Sequence, residues 1–405
     1  MVNFIYIILF SLPLYLVRFN LFGIPTTILE IEIYVLAISF FIYSLREKKL
    51  QKHFLDFFKD YLFIPILIFF VAGLISVFVS PNKIAALGIF KAYFFDTILF
   101  FFLFCSIIKT KEEIKKSFKA LILSALIVSL IGIIQYYFFS QFLQEGRIRS
   151  LFASPNYLSL YIAPIYFLSS IFVKKPISKN IFSFLSSFFI LITIIFTYSR
   201  GAWLGLLLGF MFLLSYLISL KTKFRANYII LILFLIGFIA SFFFIIKGSY
   251  SFGLVPQNRV FESDNIRKEI WATSIDIGWQ HKWLGVGLGN FQNYFNEYTR
   301  SRINYPEYIT PNAITPHNIF LNIWLQLGVL GVLGVLGLLG IFFVKSFRGL
   351  KKNPLINLAL ISAMIAILGQ GLVDSAIWKN DLMIFFYFLL AASYIINKGE
   401  KNHGK

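Results

Sequence analysis

The chain has 405 residues, of which 59% are hydrophobic, 19% aromatic and only 14% charged. A soluble domain is nearer half apolar and a quarter charged, so an ordinary soluble globule is excluded and a polytopic membrane protein is indicated. The formal net charge of +19 would suggest nucleic acid in a soluble protein, but here the basic residues gather in short loops between apolar runs, the mark of membrane topology.

Apolar runs lie at about 2–19, 26–45, 61–80, 84–108, 118–139, 157–173, 181–198, 202–220, 228–246, 318–344, 355–376 and 380–397. Each is near the length that crosses a bilayer as a helix and too long for a barrel strand. The expectation is an all-α membrane protein with about 12 transmembrane helices, the first retained rather than cleaved as a signal. Residues 1–246 would hold nine spans, 247–317 a large extracytoplasmic loop, 318–397 three more spans, and 398–405 a cytoplasmic tail. With the N-terminus inside, alternate loops and the tail carry 23 of the 37 Lys/Arg, and this bias fixes both termini in the cytoplasm. The protein is expected in the cytoplasmic (inner) membrane. Cys105 is the single cysteine, which excludes an internal disulfide and a cysteine-built metal cage.

Four polar clusters fall on the outer side of this topology, and polar groups at a bilayer are costly enough to be functional suspects. The first is Gly146-Arg-Ile-Arg-Ser-Leu-Phe-Ala-Ser-Pro-Asn156. In extended chain Arg147 and Arg149 point the same way, as a clamp for a diphosphate or as anchors to lipid headgroups. Pro155 would open the next helix, with Asn156 in its first turn. The second, Thr197-Tyr-Ser-Arg-Gly-Ala-Trp203, is a tight outer turn or a helix broken within the membrane; Arg200 is held at or below the surface for an anion, or snorkels outward.

The third cluster lies in the long loop. Apolar residues at 266, 270, 271 and 275 predict an amphipathic helix capped by Asp264 or Asn265, with Arg267 and Trp271 on one face. His281 and a Gly285/Gly287/Gly289 cluster follow; without a preceding strand these glycines are not a dinucleotide fingerprint. The fourth is His317-Asn318, where Pro316 pins the chain and Asn318 begins a helix. An imidazole there could take a proton from a hydroxyl, or merely cap the helix. Glycines at 328, 331, 334, 337 and 340 predict one helix face for close packing. Asp374, near an outer helix end, is placed for structural pairing or for a site arginine. No spacing forms a metal site, so the chemistry is expected to be metal-independent, with no cofactor.

In this order, Gly146-Arg147…Phe152…Pro155-Asn156, Ser199-Arg-Gly-Ala-Trp203, Arg267…Trp271…Leu284-Gly-Val-Gly-Leu-Gly-Asn-Phe291 and His317-Asn-Ile-Phe…Gly331 resemble the bacterial O-antigen ligase and polymerase superfamily of integral-membrane glycosyltransferases. Ser150 departs from the pattern, standing where many relatives have glycine. The resemblance implies a GT-C-like architecture and an undecaprenyl-diphosphate-linked glycan donor. It implies an inverting, metal-independent transfer at the outer face to a lipid A-core acceptor. Arg147 or Arg149, Arg200 and Arg267 would hold the diphosphate, with Trp271 and Asn318 also at the substrate. His317 would activate or position the acceptor, with Arg200 as its catalytic partner. Repeat-unit polymerases, which extend a growing glycan, and protein glycosyltransferases share these motifs. A transporter or flippase for envelope lipids is the rival from another class, but no internal repeat supports it.

Overall fold

The computed structural model describes residues 1–21, 23–46, 60–169, 172, 181–221, 257–300 and 314–398. The apolar run at 228–246, much of the basic loops at 47–59 and 173–180, and the tail from 399 lie outside them.

Within the described residues the helices are α1 (Val2–Phe10), α2 (Ile28–Arg46), α3 (Phe63–Val79), α4 (Lys83–Ile107), α5 (Lys111–Phe138), α6 (Pro155–Ser169), α7 (Ile181–Phe196), α8 (Arg200–Lys221), α9 (Gln257–Gln280), α10 (Phe291–Arg300), α11 (Ile319–Gly349), α12 (Pro354–Gly371) and α13 (Asn380–Asn397). Seven of these, α2, α4, α5, α8, α11, α12 and α13, are long and apolar enough to cross a membrane; α3 and α7 are shorter apolar helices. The protein is an all-α membrane protein with one small hairpin, β1 (Arg18–Leu21) paired antiparallel with β2 (Ile24–Thr27).

The run expected as a single first helix is not one. It stops at Phe10, passes through a 3-10 turn at Leu12–Leu16 and ends in the hairpin. Pro13 has no N–H to continue the helix ladder, and Gly23 adopts φ 82 at the hairpin tip. The loop helix α9 also begins earlier than predicted, so Asp264 and Asn265 lie within it rather than at its cap.

Helices α12 and α13 have 83% and 78% of their residues buried, against 22% for the apolar stretch of α2. An apolar helix buried on all sides belongs at the centre of a bundle, and one so exposed faces lipid. Phe388 on α13 meets Phe104 and Phe118 edge-on at 5.3 and 5.8 Å. Small residues bring helices close: a Cβ on Gly205 of α8 would stand 2.5 Å from the Ala366 carbonyl oxygen of α12. On α11, Gly334 and Gly337 admit Phe69 and Pro65 of α3, as the glycine spacing predicted. Gly340 meets nothing within 4 Å, and Gly328 serves another purpose described below.

One polar hub links several elements of the bundle. Lys91 lies in a π-turn of α4, Lys91–Phe95, and its Nζ reaches Glu30 at 2.7 Å and the Pro25 carbonyl at 2.8 Å. Glu30 also accepts from Thr26 and from Asn380 of α13. This hub ties the hairpin, α2, α4 and α13 together at one end of the bundle.

Candidate functional site

The turn after α5 is built around left-handed backbone. Glu145 and Gly146 have φ 56 and 75, and Gln144 and Arg147 exchange both backbone hydrogen bonds across them. Positive φ at both central residues is the geometry of a type I′ turn, which glycine makes accessible at the second position. Arg147 then donates through Nε to the Thr197 carbonyl at 2.7 Å and through Nη2 to Asn156 at 2.8 Å. Its fork therefore holds the end of α7 to the start of α6. Arg149 turns elsewhere, donating to the Phe142 carbonyl at 2.9 Å. The expected pairing of the two arginines in one clamp is not formed, because the buried Ile148 between them binds the Phe196 carbonyl and separates their directions. Ser150 has φ 52, a conformation that favours glycine, and its hydroxyl donates to the Val128 carbonyl at 2.6 Å.

Thr197, Tyr198 and Ser199 form the turn between α7 and α8. It is a tight turn and not a helix broken midway: Tyr198 takes φ 48, Thr197 closes back onto Ile194, and the Ser199 carbonyl accepts from Trp203 in the first turn of α8. Arg200 opens α8. The next residue, Gly201, lies so close to the end of α12 that a Cβ would be 2.8 Å from Val373.

The glycine cluster of the long loop is inserted between two helices. Gly285, Gly287 and Gly289 have φ 72, 92 and 72. Val286 N donates to the Leu325 carbonyl at 2.6 Å, and Gly289 N donates to the Gln326 side chain at 3.0 Å. Ser76 and Ser80 of α3 bind the Gln326 and Leu288 carbonyls. A Cβ on Gly287 would stand 2.5 Å from the Ser80 backbone. Helix α11 makes room by kinking at Gly328 (φ 66, ψ −165), where the Trp283 carbonyl occupies the space of a Cβ. The freed amide of Val329 is satisfied by the Lys282 carbonyl at 3.0 Å. These contacts fix α9, whose Ile270 and Ile277 share a small core with Val286, Phe291, Phe295 and Leu325.

His317 stands at the head of α11 with φ 46, an uncommon conformation for a residue with a Cβ. Its Nδ1 lies 3.4 Å from Asp374 Oδ1, in the loop after α12. Asn318 holds the junction: its side-chain Oδ1 accepts from the Phe320 and Leu321 amides, and its Nδ2 donates to the Leu372 carbonyl at 2.9 Å. Asp374 is buried while the His317 side chain is 37% exposed, so the imidazole can meet a ligand and the carboxylate behind it cannot. Burial opposes the Asp374 charge, but the His317 hydrogen bond and charge, the Arg267 charge and the Ser375 amide outweigh it; the carboxyl is held below its ordinary range. Arg267, on the neighbouring α9, thus comes within electrostatic reach of the pair.

The structure therefore brings His317, Asp374 and Arg267 together, with Arg200 at the same end of the bundle through the Gly201–Val373 contact. Asn156 joins from α6 and Arg147 from the turn before it, since Tyr157, next to Asn156, also feels the Asp374 charge. Trp271 lies one turn beyond Arg267, half-buried, its indole Nε1 enclosed without a hydrogen-bond partner among the described residues. His281 packs edge-on against Tyr294 at 4.8 Å. Of the two roles the sequence left open for Asp374, structural pairing or a site arginine, the hydrogen-bond partner is His317, with the Arg267 charge also acting on it. Residues 185–336 match the family model Wzy_C, described as O-antigen ligase. No curated protein matches the chain.

Proposed function

We propose a function on one premise: the chain belongs to the O-antigen ligase and polymerase superfamily. Our reading is an O-antigen ligase, an inverting glycosyltransferase that moves a glycan from an undecaprenyl-diphosphate carrier to a lipid A-core acceptor. The single observation that carries the site assignment is the His317–Asp374 contact at 3.4 Å, at the bundle end that also holds Arg200 and Arg267.

With Nδ1–H donating to Asp374, the other ring nitrogen, Nε2, offers its lone pair to the acceptor hydroxyl. The acceptor oxygen bonds to the anomeric carbon, the bond from that carbon to the diphosphate oxygen breaks, and the hydroxyl proton passes to Nε2. The leaving diphosphate carries the displaced electron pair, and Arg200 and Arg267 neutralise it with charge-assisted hydrogen bonds. Arg147 acts here chiefly by holding α6 to the Thr197 turn, which sets the position of Arg200. The lysine-rich end of the bundle faces the cytoplasm in this reading, and the His317 end faces outward.

The direct test supplies the purified protein with lipid-linked donor and acceptor, alongside Arg200→Ala and His317→Ala. Product should fall steeply in both; unchanged formation in both would reject the assigned roles. The lipid-linked glycans of a deletion strain separate the two activities of the superfamily. Full-length chains stranded on the carrier mark a ligase, and single repeats mark a polymerase.

A further inference from the structure

A second group of charges lies at the same end of the bundle and has no part in the reaction as described above. The loop 372–379 carries Asp374 near its start and Lys379 at its end. Lys379 Nζ stands 2.9 Å from the centroid of the Tyr157 ring and 5.8 Å from that of Tyr15. The ammonium makes no hydrogen bond or ion pair among the described residues, so ring faces alone hold a group with three N–H donors. Behind it Asp381, in the first turn of α13, is 0% exposed, and neither carboxylate oxygen has a hydrogen bond of normal geometry. Arg18, exposed on β1, lies within electrostatic reach of both Lys379 and Asp381, and its guanidinium likewise makes no hydrogen bond among the described residues.

Two cations therefore face the buried Asp381, and Lys379 also feels Asp374, whose charge is already shared with His317 and Arg267. Burial pulls the Lys379 pKa down and the Asp381 charge opposes that shift. An ammonium in this state gains from any anion that fills its empty donor positions, because the cost of removing it from water has already been met by the fold. The place is also right. Tyr157 follows Asn156, the partner of Arg147, and feels the charge of Asp374, the partner of His317.

We propose that Arg18 and Lys379 form a phosphoryl-binding subsite contiguous with the His317–Asp374 cluster, with the buried Asp381 positioning Lys379 from behind. The proposal rests on the glycosyl-transfer reading only for its choice of probes. The phosphoryl group can come from either side of that reaction, as the diphosphate of a lipid-linked donor or as a phosphate on a glycolipid acceptor.

The test uses the full-length protein in nanodiscs and measures binding of two probes, a short polyprenyl diphosphate and a phosphorylated lipid A-type glycolipid. A dephosphorylated form of each serves as its control. Lys379→Gln should weaken one phosphorylated probe by about tenfold, the scale of one charge-assisted hydrogen bond. Lys379→Arg should stay within about threefold, and both dephosphorylated probes should be indifferent. Loss confined to the polyprenyl diphosphate assigns the subsite to the donor, and loss confined to the glycolipid assigns it to the acceptor. Unchanged binding of both phosphorylated probes to folded Lys379→Gln would overturn the proposal, as would an equal loss for the dephosphorylated controls. Should Lys379→Gln fail to fold, Arg18→Gln, altered at an exposed position, decides by the same readout. A wild-type protein that transfers no glycan yet shows the phosphate-dependent loss would sink the transfer reading and leave the subsite; active wild type with unaltered binding in the variants would do the reverse.

Discussion

At the end of the bundle that holds Lys111, Lys345 and Lys398, polar side chains satisfy one another and the described backbone is ordinary. Asn357 and Asn397 exchange amide hydrogen bonds at 3.2 and 2.8 Å, Ser346 meets Ser393 at 2.7 Å, Lys111 reaches Asn353 at 2.8 Å, and Lys345 pairs with Asp60 at 3.1 Å. At the end that holds His317, Glu145, Ser150, Tyr198 and His317 all have positive φ, and Asp374 and Asp381 are buried. Left-handed backbone at residues with a Cβ and carboxylates without solvent both cost free energy. Among the described residues, left-handed backbone at residues with a Cβ is confined to the His317 end, so strain and chemistry sit together there, and substitutions should separate them from the stability held at the other end.

The sharpest way to break that contrast is His317→Ala. Loss of a positioned acid–base group costs about 10²–10⁴-fold in turnover, while the melting temperature should fall only modestly: alanine keeps the Cβ at positive φ, and the buried Asp374 loses one hydrogen-bond partner but keeps the Arg267 charge and the Ser375 amide. A variant that unfolds without a specific loss of turnover would make His317 a helix cap and no more. Gly328→Ala is expected to fail in the opposite way. The added Cβ would meet the Trp283 carbonyl in a left-handed residue, and about 2–5 kcal/mol of stability should be lost. Thermal unfolding measures this, and a neutral result would mean that α11 can straighten without the loop. Arg200→Ala should leave the fold intact and reduce transfer by about 10–100-fold, the value of one or two hydrogen bonds to a charged group.

Much of this arrangement could be read in the sequence, for a physical reason. A bilayer demands long uninterrupted apolar runs with backbone bonds closed internally, so the later helices lie close to where hydropathy put them. His317 and Arg200 stood out as candidates because polar groups are conspicuous beside apolar runs, and Arg267 because it shares a face of an amphipathic helix with Trp271. What escaped detection depends on distant partners. The glycines at 285, 287 and 289 read as a loop, because their necessity comes from Ser80 and Leu325, which the backbone must approach closely. Arg147 read as a substrate clamp, because nothing local shows that the Thr197 carbonyl lies within its reach. Lys379 drew no notice, because nothing local shows that the Tyr15 and Tyr157 rings lie against its ammonium. The first run was misjudged on local evidence: Pro13 is a breaker that its hydrophobicity outweighed.

Asp374 sharpens the comparison through pH. Its folded pKa lies below the ordinary carboxylate value of about 3.9, so the ionised form is bound more favourably in the folded state. That contribution is present in full above about pH 5 and is lost as pH falls below about 4 through the depressed folded value. The difference in melting temperature between wild type and Asp374→Asn should therefore shrink as pH falls below about 4. A difference that grows on acidification would mean that the carboxyl is raised and its charge is not held by His317 and Arg267.

The smallest effect belongs to the lysine end. Asn357 is fully buried and binds both Asn397 and the Asn353 carbonyl, and Gly349 lets Asn397 approach without a side chain in the way. Asn357→Ala removes one partner of a reciprocal pair and leaves the other amide short of bonds, at a cost of about 1–3 kcal/mol. The expected result is a lower melting temperature with turnover within about twofold of wild type, since no group near His317 depends on that amide. Should turnover fall instead, the helices would be transmitting the position of α12 along its whole length to Asp374. The two ends would then be one mechanical unit, and the separation of stability from chemistry would not hold.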